Sequence, residues 1–162
     1  MNKLDITRQK IAEPDQLDRI LAIWRFQEKK IVFTNGCFDI LHRGHVEYLA
    51  RAASHGDVMV VGLNSDKSVK NIKGPYRPIQ DEKTRALILA SLYFVNIVVL
   101  FDEDTPYELI KIVRPDVLVK GADYKPEQIV GYDIVKARGG EIVTVDLVAG
   151  QSTTAIIEKL KQ

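Results

Sequence analysis

A chain of 162 residues, 46% hydrophobic and 28% charged, is long enough to bury one full core and has the balance of an ordinary globular domain. Its net charge of +1 lacks the basic excess that nucleic acid or an anionic membrane surface calls for, which leaves a small charged ligand held by a few local groups. One cysteine, Cys37, excludes an internal disulfide, and no apolar run approaches membrane-spanning or signal-peptide character, so a cytoplasmic protein is expected.

The first predicted element is a helix over about 15–29, with Leu17, Ile20, Leu21 and Trp24 at helical spacing. That spacing makes Trp24 a packing residue. Residues 1–29 are taken as a helical extension ahead of a domain at 30–162. Strands are predicted at 31–34, 58–64, 97–101, 117–120 and 141–145, and helices at 44–54, 82–93, 106–113, 126–137 and from 153 to the end. The segment 64–80 is rich in turn formers and basic residues and is expected to be a long loop over a site or plain surface. Short apolar runs alternating with helices predict an α/β fold: a Rossmann-like, doubly wound, five-stranded parallel sheet in a single domain. Ligands of such sheets sit beyond the carboxyl ends of the strands.

The string TNGCFDILHRGHVEYL, residues 34–49, carries the chemistry. A strand ends, a glycine-containing turn follows, and a helix opens near Gly44. Its first-turn amides have no partner within the helix, so with the helix dipole they form an anion site. Gly36 and Gly44 bring no Cβ and let phosphate approach the backbone. His42 and His45 flank the site, where an imidazole can donate to phosphate oxygens, most strongly when protonated. A second string, Gly150-Gln151-Ser152-Thr153-Thr154, precedes an apolar helical run. It reads either as a plain N-cap or as a further phosphate contact.

His42-Arg43-Gly44-His45, after Gly36-Cys37-Phe38-Asp39, resembles the signature of the HxGH nucleotidylyltransferase superfamily. The strings IVFTNGCFDILHRGHVEYLARA, GDVMVVGLNSD, KGPYRPI, EDTPYELI, RPDVLVKGADYKPEQIVG and GGEIVTVDLVAGQSTTAII narrow this to the adenylyltransferase half of bacterial heptose-biosynthesis enzymes, over about residue 15 to the end. With no sugar-kinase half ahead of it, the chain resembles the stand-alone form. The resemblance implies transfer of AMP from ATP to D-glycero-β-D-manno-heptose 1-phosphate, releasing pyrophosphate, with Mg2+ accompanying ATP and a homodimer as the common assembly.

It also implies roles for particular residues. His42, His45 and Lys73 would be catalytic contacts to the triphosphate. Asn35, Gly36, Cys37, Phe38, Gly44, Gly121, Asp123, Gly150, Ser152, Thr153 and Thr154 would line the nucleotide. Asp39, Asn64, Arg77 and Arg85 are further substrate or phosphate candidates. Several have a bland competitor: a small buried filler for the Cys37 side chain, a solvated face for Lys73, a turn cap for Asp123, a surface ion pair with Asp81 or Glu82 for Arg85. Leu147 stands where cytidylyltransferases of this branch carry an arginine, which leaves open the cation facing the leaving pyrophosphate. Two rival functions remain: a CTP-dependent enzyme acting on glycerol phosphate or a related alcohol phosphate, and a nucleotide-binding module without turnover. A zinc site on the two histidines lacks a third ligand at motif spacing, and no G-x-G-x-x-G follows the first strand for NAD.

Overall fold

The apolar, β-branched runs become strands because each is covered on both sides. The computed structural model describes residues 2–150 and 152–160. In it β1 (Ile31–Gly36), β2 (Val58–Asn64), β3 (Ile97–Phe101), β4 (Val117–Gly121) and β5 (Glu141–Val145) form one parallel sheet in the order β3-β2-β1-β4-β5. Alternation along the strands sorts their side chains into two cores. Phe33, Val60, Val99 and Leu118 join one, together with Leu17 and Leu21 of α2 (Pro14–Phe26), Ile110 of α6 (Tyr107–Val113) and Val135 of α7 (Tyr132–Ala137). Val32, Val61, Val98 and Val119 join the other, with Leu49 of α3 (Arg43–Ala53) and Leu89 of α5 (Glu82–Ser91). Burial on both faces explains why these strands read as unbroken apolar runs. The doubly wound α/β fold expected from the sequence is the fold observed.

Two expectations need correction. The segment 64–80 contains a helix, α4 (Asp66–Lys73), begun by Ser65, whose hydroxyl accepts from the Ser68 amide, and ended at Gly74 with φ 94°. The residues taken as turn formers are its caps, and Val69 is its one buried apolar residue, so no hydrophobic stripe announced it. The single helix expected over 126–137 is two pieces, a 3-10 turn at Pro126–Gln128 and α7, separated at Gly131. Gly131 has φ 90°, and a Cβ there would stand 2.7 Å from Ile110. A left-handed residue in tight contact interrupts the helix.

At the amino terminus, α1 (Lys3–Arg8) starts with a capping box between Asn2 and Asp5. The chain then pairs with the open edge of β3: Ala12 donates to the Val98 carbonyl (2.9 Å) and Val98 donates back to Lys10 (2.8 Å). Trp24 packs against the first core, as its spacing predicted. The last helix, α8, runs Thr153–Leu160; residues 161 and 162 of the helix expected to the end lie outside the described residues.

The strand order fixes where a ligand goes. From β1 the chain winds outward through β2 and β3, then crosses back to place β4 on the other side of β1. A crevice therefore opens past the carboxyl ends of β1 and β4, at the topological switch point.

Candidate active site

At that crevice, a cleft of about 320 Å³ lies between the tips of β1 and β4, the start of α3 and the start of α8. His42 is the N-cap of α3, in extended conformation (φ −136°, ψ 171°), and its side chain makes no cap hydrogen bond. The first bond back into the helix is from the Val46 amide to the His42 carbonyl, 3.2 Å. The amides of Arg43, Gly44 and His45 thus have no partner within the helix, and they sit at its positive end. This is an anion-binding mouth.

The two imidazoles stack over it, ring centroids 3.8 Å apart and 23° from parallel. Phe38 meets His45 edge-on at 5.3 Å. Phe38 holds φ at 42°, unusual for a bulky residue, and its ring lies so close over Gly36 that a Cβ there would come within 2.9 Å. Gly36 therefore serves to let Phe38 fold back against the histidine. The Nδ1 atoms of His42 and His45 are buried and have no hydrogen-bond partner among the described residues. Burial pushes both imidazoles below their ordinary value, His45 to about 4, with His42 beside it adding to the depression. Two neutral, partly desolvated rings with unpaired nitrogens are held ready for a ligand that can pair with them.

Three cations border the cleft. Lys73, the last residue of α4, is exposed and makes no ion pair among the described residues. Arg77 gives its Nε to Asp39 (2.6 Å). Lys120, at the end of β4, donates to the Asn35 side-chain oxygen (2.9 Å) and carbonyl (3.3 Å). Burial pushes the Cys37 thiol above its ordinary value despite the opposing pull of Lys73, Arg85, Arg77 and Lys120. The thiol stays protonated in a positive field, a poor nucleophile beside a good anion site.

The structure brings Asn35, Gly36, Cys37, Phe38, Asp39, His42, Gly44, His45, Lys73, Arg77, Gly121, Asp123, Ser152, Thr153 and Thr154 to this one cleft. Gly121 matters for contact: a Cβ on it would lie 2.5 Å from the Asp123 carboxylate, which folds back over the strand end. Ser152 caps α8, accepting from the Ala155 amide at 3.0 Å, and Thr153 donates to the Ile40 carbonyl at 3.4 Å. The N-cap reading thus holds for Ser152, which lines the cleft as well. Gly150, at φ 74°, is not among the residues lining the cleft.

Three substrate candidates turn out to have structural work. Asp39, 1% exposed, accepts from Arg77 and from the amides of Ile79 and Gln80, tying the segment after α4 to the turn after β1. For Arg85 the surface ion pair with Asp81 or Glu82 is a correction: the residue is 1% exposed and spends its guanidinium on the carbonyls of Gln80, Cys37 and Asn64 and on Asp66. A buried guanidinium must be saturated within the protein, and here it stitches the turns after β1 and β2 together. Asn64 is buried, donating to Ser68 Oγ at 2.9 Å, and lines the neighbouring cavity beyond Lys73 rather than this cleft.

Sequence reasoning missed Tyr48, Lys120 and Tyr124, all of which line the cleft. The Tyr48 hydroxyl shares a hydrogen bond with Thr34 (2.8 Å) and donates to the Val119 carbonyl (3.2 Å), clamping the tips of β1 and β4. Burial pushes its phenol up to about 12. A signal existed for one of them: Tyr48 lies three residues after His45 on one helix.

A family model described as cytidylyltransferase-like matches residues 33–159, a span that runs from β1 through most of α8. The chain belongs to the cytidylyltransferase-like family. Among curated proteins, it is 56% identical to the bifunctional protein HldE of Caulobacter vibrioides over 93% of this chain and 31% of that protein. It is 51% identical to the bifunctional protein HldE of Azorhizobium caulinodans over 98% of this chain and 34% of that protein. The chain thus spans about a third of the length of these relatives. A crystal structure of a lipopolysaccharide core biosynthesis protein from Thermoplasma volcanium superposes with a TM-score of 0.59 at 28% identity, covering 74% of this chain and 97% of that one. A pantoate-beta-alanine ligase from Francisella tularensis shares the fold at 19% identity and the same TM-score, over 93% of this chain and 76% of that one.

Proposed function

We propose that this member of the cytidylyltransferase-like family transfers AMP from ATP to D-glycero-β-D-manno-heptose 1-phosphate, giving ADP-heptose and pyrophosphate. The observation that carries the reading is the uncapped mouth of α3 with two stacked imidazoles whose Nδ1 atoms lack partners. Amides and imidazoles aimed at one spot suit a polyphosphate whose charge grows on the leaving oxygens. The choice of heptose rests on the sequence strings and on relatives about half identical across nearly the whole chain.

In this scheme an oxygen of the sugar phosphate attacks the α-phosphorus as the bond to the β-phosphate oxygen breaks, and pyrophosphate leaves with that electron pair. No covalent enzyme intermediate is needed, so positioning and charge neutralisation supply the catalysis. His42, His45 and the α3 amides hold the leaving phosphates. Arg77, whose terminal nitrogens have no partner among the described residues, and Lys73 close over them from the segment after β2. Asp123 at the end of β4 takes the ribose or base, and Ser152, Thr153 and Thr154 meet the phosphates from the side of α8. Magnesium would arrive on the triphosphate, held by phosphate oxygens and water. Among the described residues no three His, Cys, Asp or Glu side chains converge as a metal site.

No helix among the described residues is long and apolar enough to cross a membrane, and a cytoplasmic homodimer completes the proposal. Incubation with magnesium, a panel of nucleoside triphosphates and heptose 1-phosphate of either anomer tests it, with products identified by mass. ADP-heptose is expected. The family model's description favours CTP as the rival nucleotide; turnover only with CTP and an alcohol phosphate would replace the substrate assignment, and binding without turnover would replace the enzyme.

A further inference from the structure

Past Lys120 the cleft continues into a second cavity of about 370 Å³. The two share a rim made of Asn35, Gly36, Cys37, Lys73, Lys120 and Tyr124, so they form one continuous hollow across the strand tips. Their remaining walls differ in chemistry. The first offers free amides, imidazoles and hydroxyls, groups that suit phosphate oxygens. The second is walled by Asp104, Thr105 and Gln128 beside Ile72, Ile129 and Val130, with no cation beyond the two shared lysines. Hydrogen-bonding groups set in apolar surface suit a neutral body carrying many hydroxyls, whose C–H faces can lie on the aliphatic side chains.

Geometry assigns this wall to one substrate. In-line displacement places the attacking oxygen opposite the leaving one. With pyrophosphate at the mouth of α3, the attacker must come from the other side of the α-phosphorus, which is the shared rim. Lys120 stands there, half-buried, its ammonium held only by neutral oxygens of Asn35 and lying 5.7 Å from the centre of the Tyr124 ring. Among the described residues it has no ion-pair partner, and burial pushes its ammonium below the ordinary value. A desolvated cation that feels the Asp123 carboxylate but makes no close ion pair is a place for an incoming anion.

We propose that the second cavity is the acceptor subsite: it takes the ring of a sugar 1-phosphate, reads its hydroxyls through Asp104, Thr105 and Gln128, and leaves its phosphate at the rim beside Lys120. The assignment rests on the nucleotidyl-transfer reading above. The acceptor phosphate enters already deprotonated, so its oxygen bonds to the α-phosphorus without a general base, and the broken bond's electrons leave with pyrophosphate. Lys120 thereby faces the attacking phosphate rather than the leaving one.

Steady-state rates of nucleotide-sugar formation, with ATP and sugar 1-phosphate varied in turn, test this on the full chain carrying Asp104→Ala, Gln128→Ala or Thr105→Trp. All three side chains are exposed, so folding is preserved. Loss of one hydrogen bond should raise KM for the sugar phosphate about fivefold to tenfold. The tryptophan should raise it further by filling the cavity. KM for ATP, and ATP affinity by calorimetry, should stay within about twofold. An unchanged acceptor KM, or ATP constants that move in parallel, would overturn the subsite while wild-type turnover leaves the activity standing. A wild-type chain that binds ATP yet converts no sugar 1-phosphate would overturn the activity and the subsite together.

Discussion

His42 and His45 illustrate how far a residue's chemistry depends on its surroundings. Each is a free imidazole in sequence. In the fold they are stacked, partly desolvated and lack partners for Nδ1, with His45 held at about 4. A bound triphosphate would reverse that by favouring the imidazolium. Nucleotide binding near pH 6 should therefore take up protons, which calorimetry in buffers of different ionisation heat measures. The uptake should shrink in His45→Gln after the nucleotide's own titration is subtracted; equal uptake in both proteins would remove the histidine from the site. The same variant should lose ~10²–10³ in turnover, the typical cost of one transition-state donor, with its fold intact by circular dichroism. Pyrophosphate release reads this directly.

At the scale of elements, two strand ends and two helix starts make the site, and each is trimmed for it. β1 closes on Gly36 so that Phe38 can fold back on His45, and β4 closes on Gly121 so that the Asp123 carboxylate can lie over it. Gly121→Ala should push that carboxylate aside, since a side-chain tip moves more easily than backbone. We expect thermal unfolding to change little while ATP affinity falls about tenfold, the cost of a hydrogen bond to a charged group. Unaltered affinity would return Asp123 to a turn cap. The opposite ends of the helices are trimmed too: Arg25 in the last turn of α2, Arg114 at the C-cap of α6 and Arg138 at the C-cap of α7 gather at the amino ends of the strands. Arg25 donates to the Val113 carbonyl at 2.7 Å. Cations there offset the negative helix ends, which accounts for a basic cluster far from the active cleft.

For the whole molecule, residues ahead of β1 contribute to the core. Leu17 and Leu21 are 1% and 0% exposed, and Lys10–Ala12 extends the β3 edge. Leu21→Ala should cost about 2–5 kcal/mol in denaturant unfolding, as for other fully buried leucines. A cost near zero would make residues 1–29 a loose extension. Stability should also fall as pH drops from about 6.5 towards about 4, because across that window the unfolded chain binds a proton at His45 that the folded chain does not.

Much of this was legible in the residues. Unbroken β-branched runs separated by helices specified a doubly wound parallel sheet, since only strands buried on both faces have that composition. The strand–glycine–helix string with His42 and His45 located the anion mouth, because uncapped amides at a helix start are a local property of the chain. The helix α4 escaped notice because a helix with one buried apolar residue leaves no periodic trace. The tertiary structure alone decided that Arg85 is a buried brace, that Asp39 anchors a loop, and that Lys120 faces the cleft. Those three roles depend on which strand tips become neighbours. β1 beside β2 decides the first two and the crossing from β3 to β4 decides the third, contacts between distant stretches of chain that no local pattern encodes.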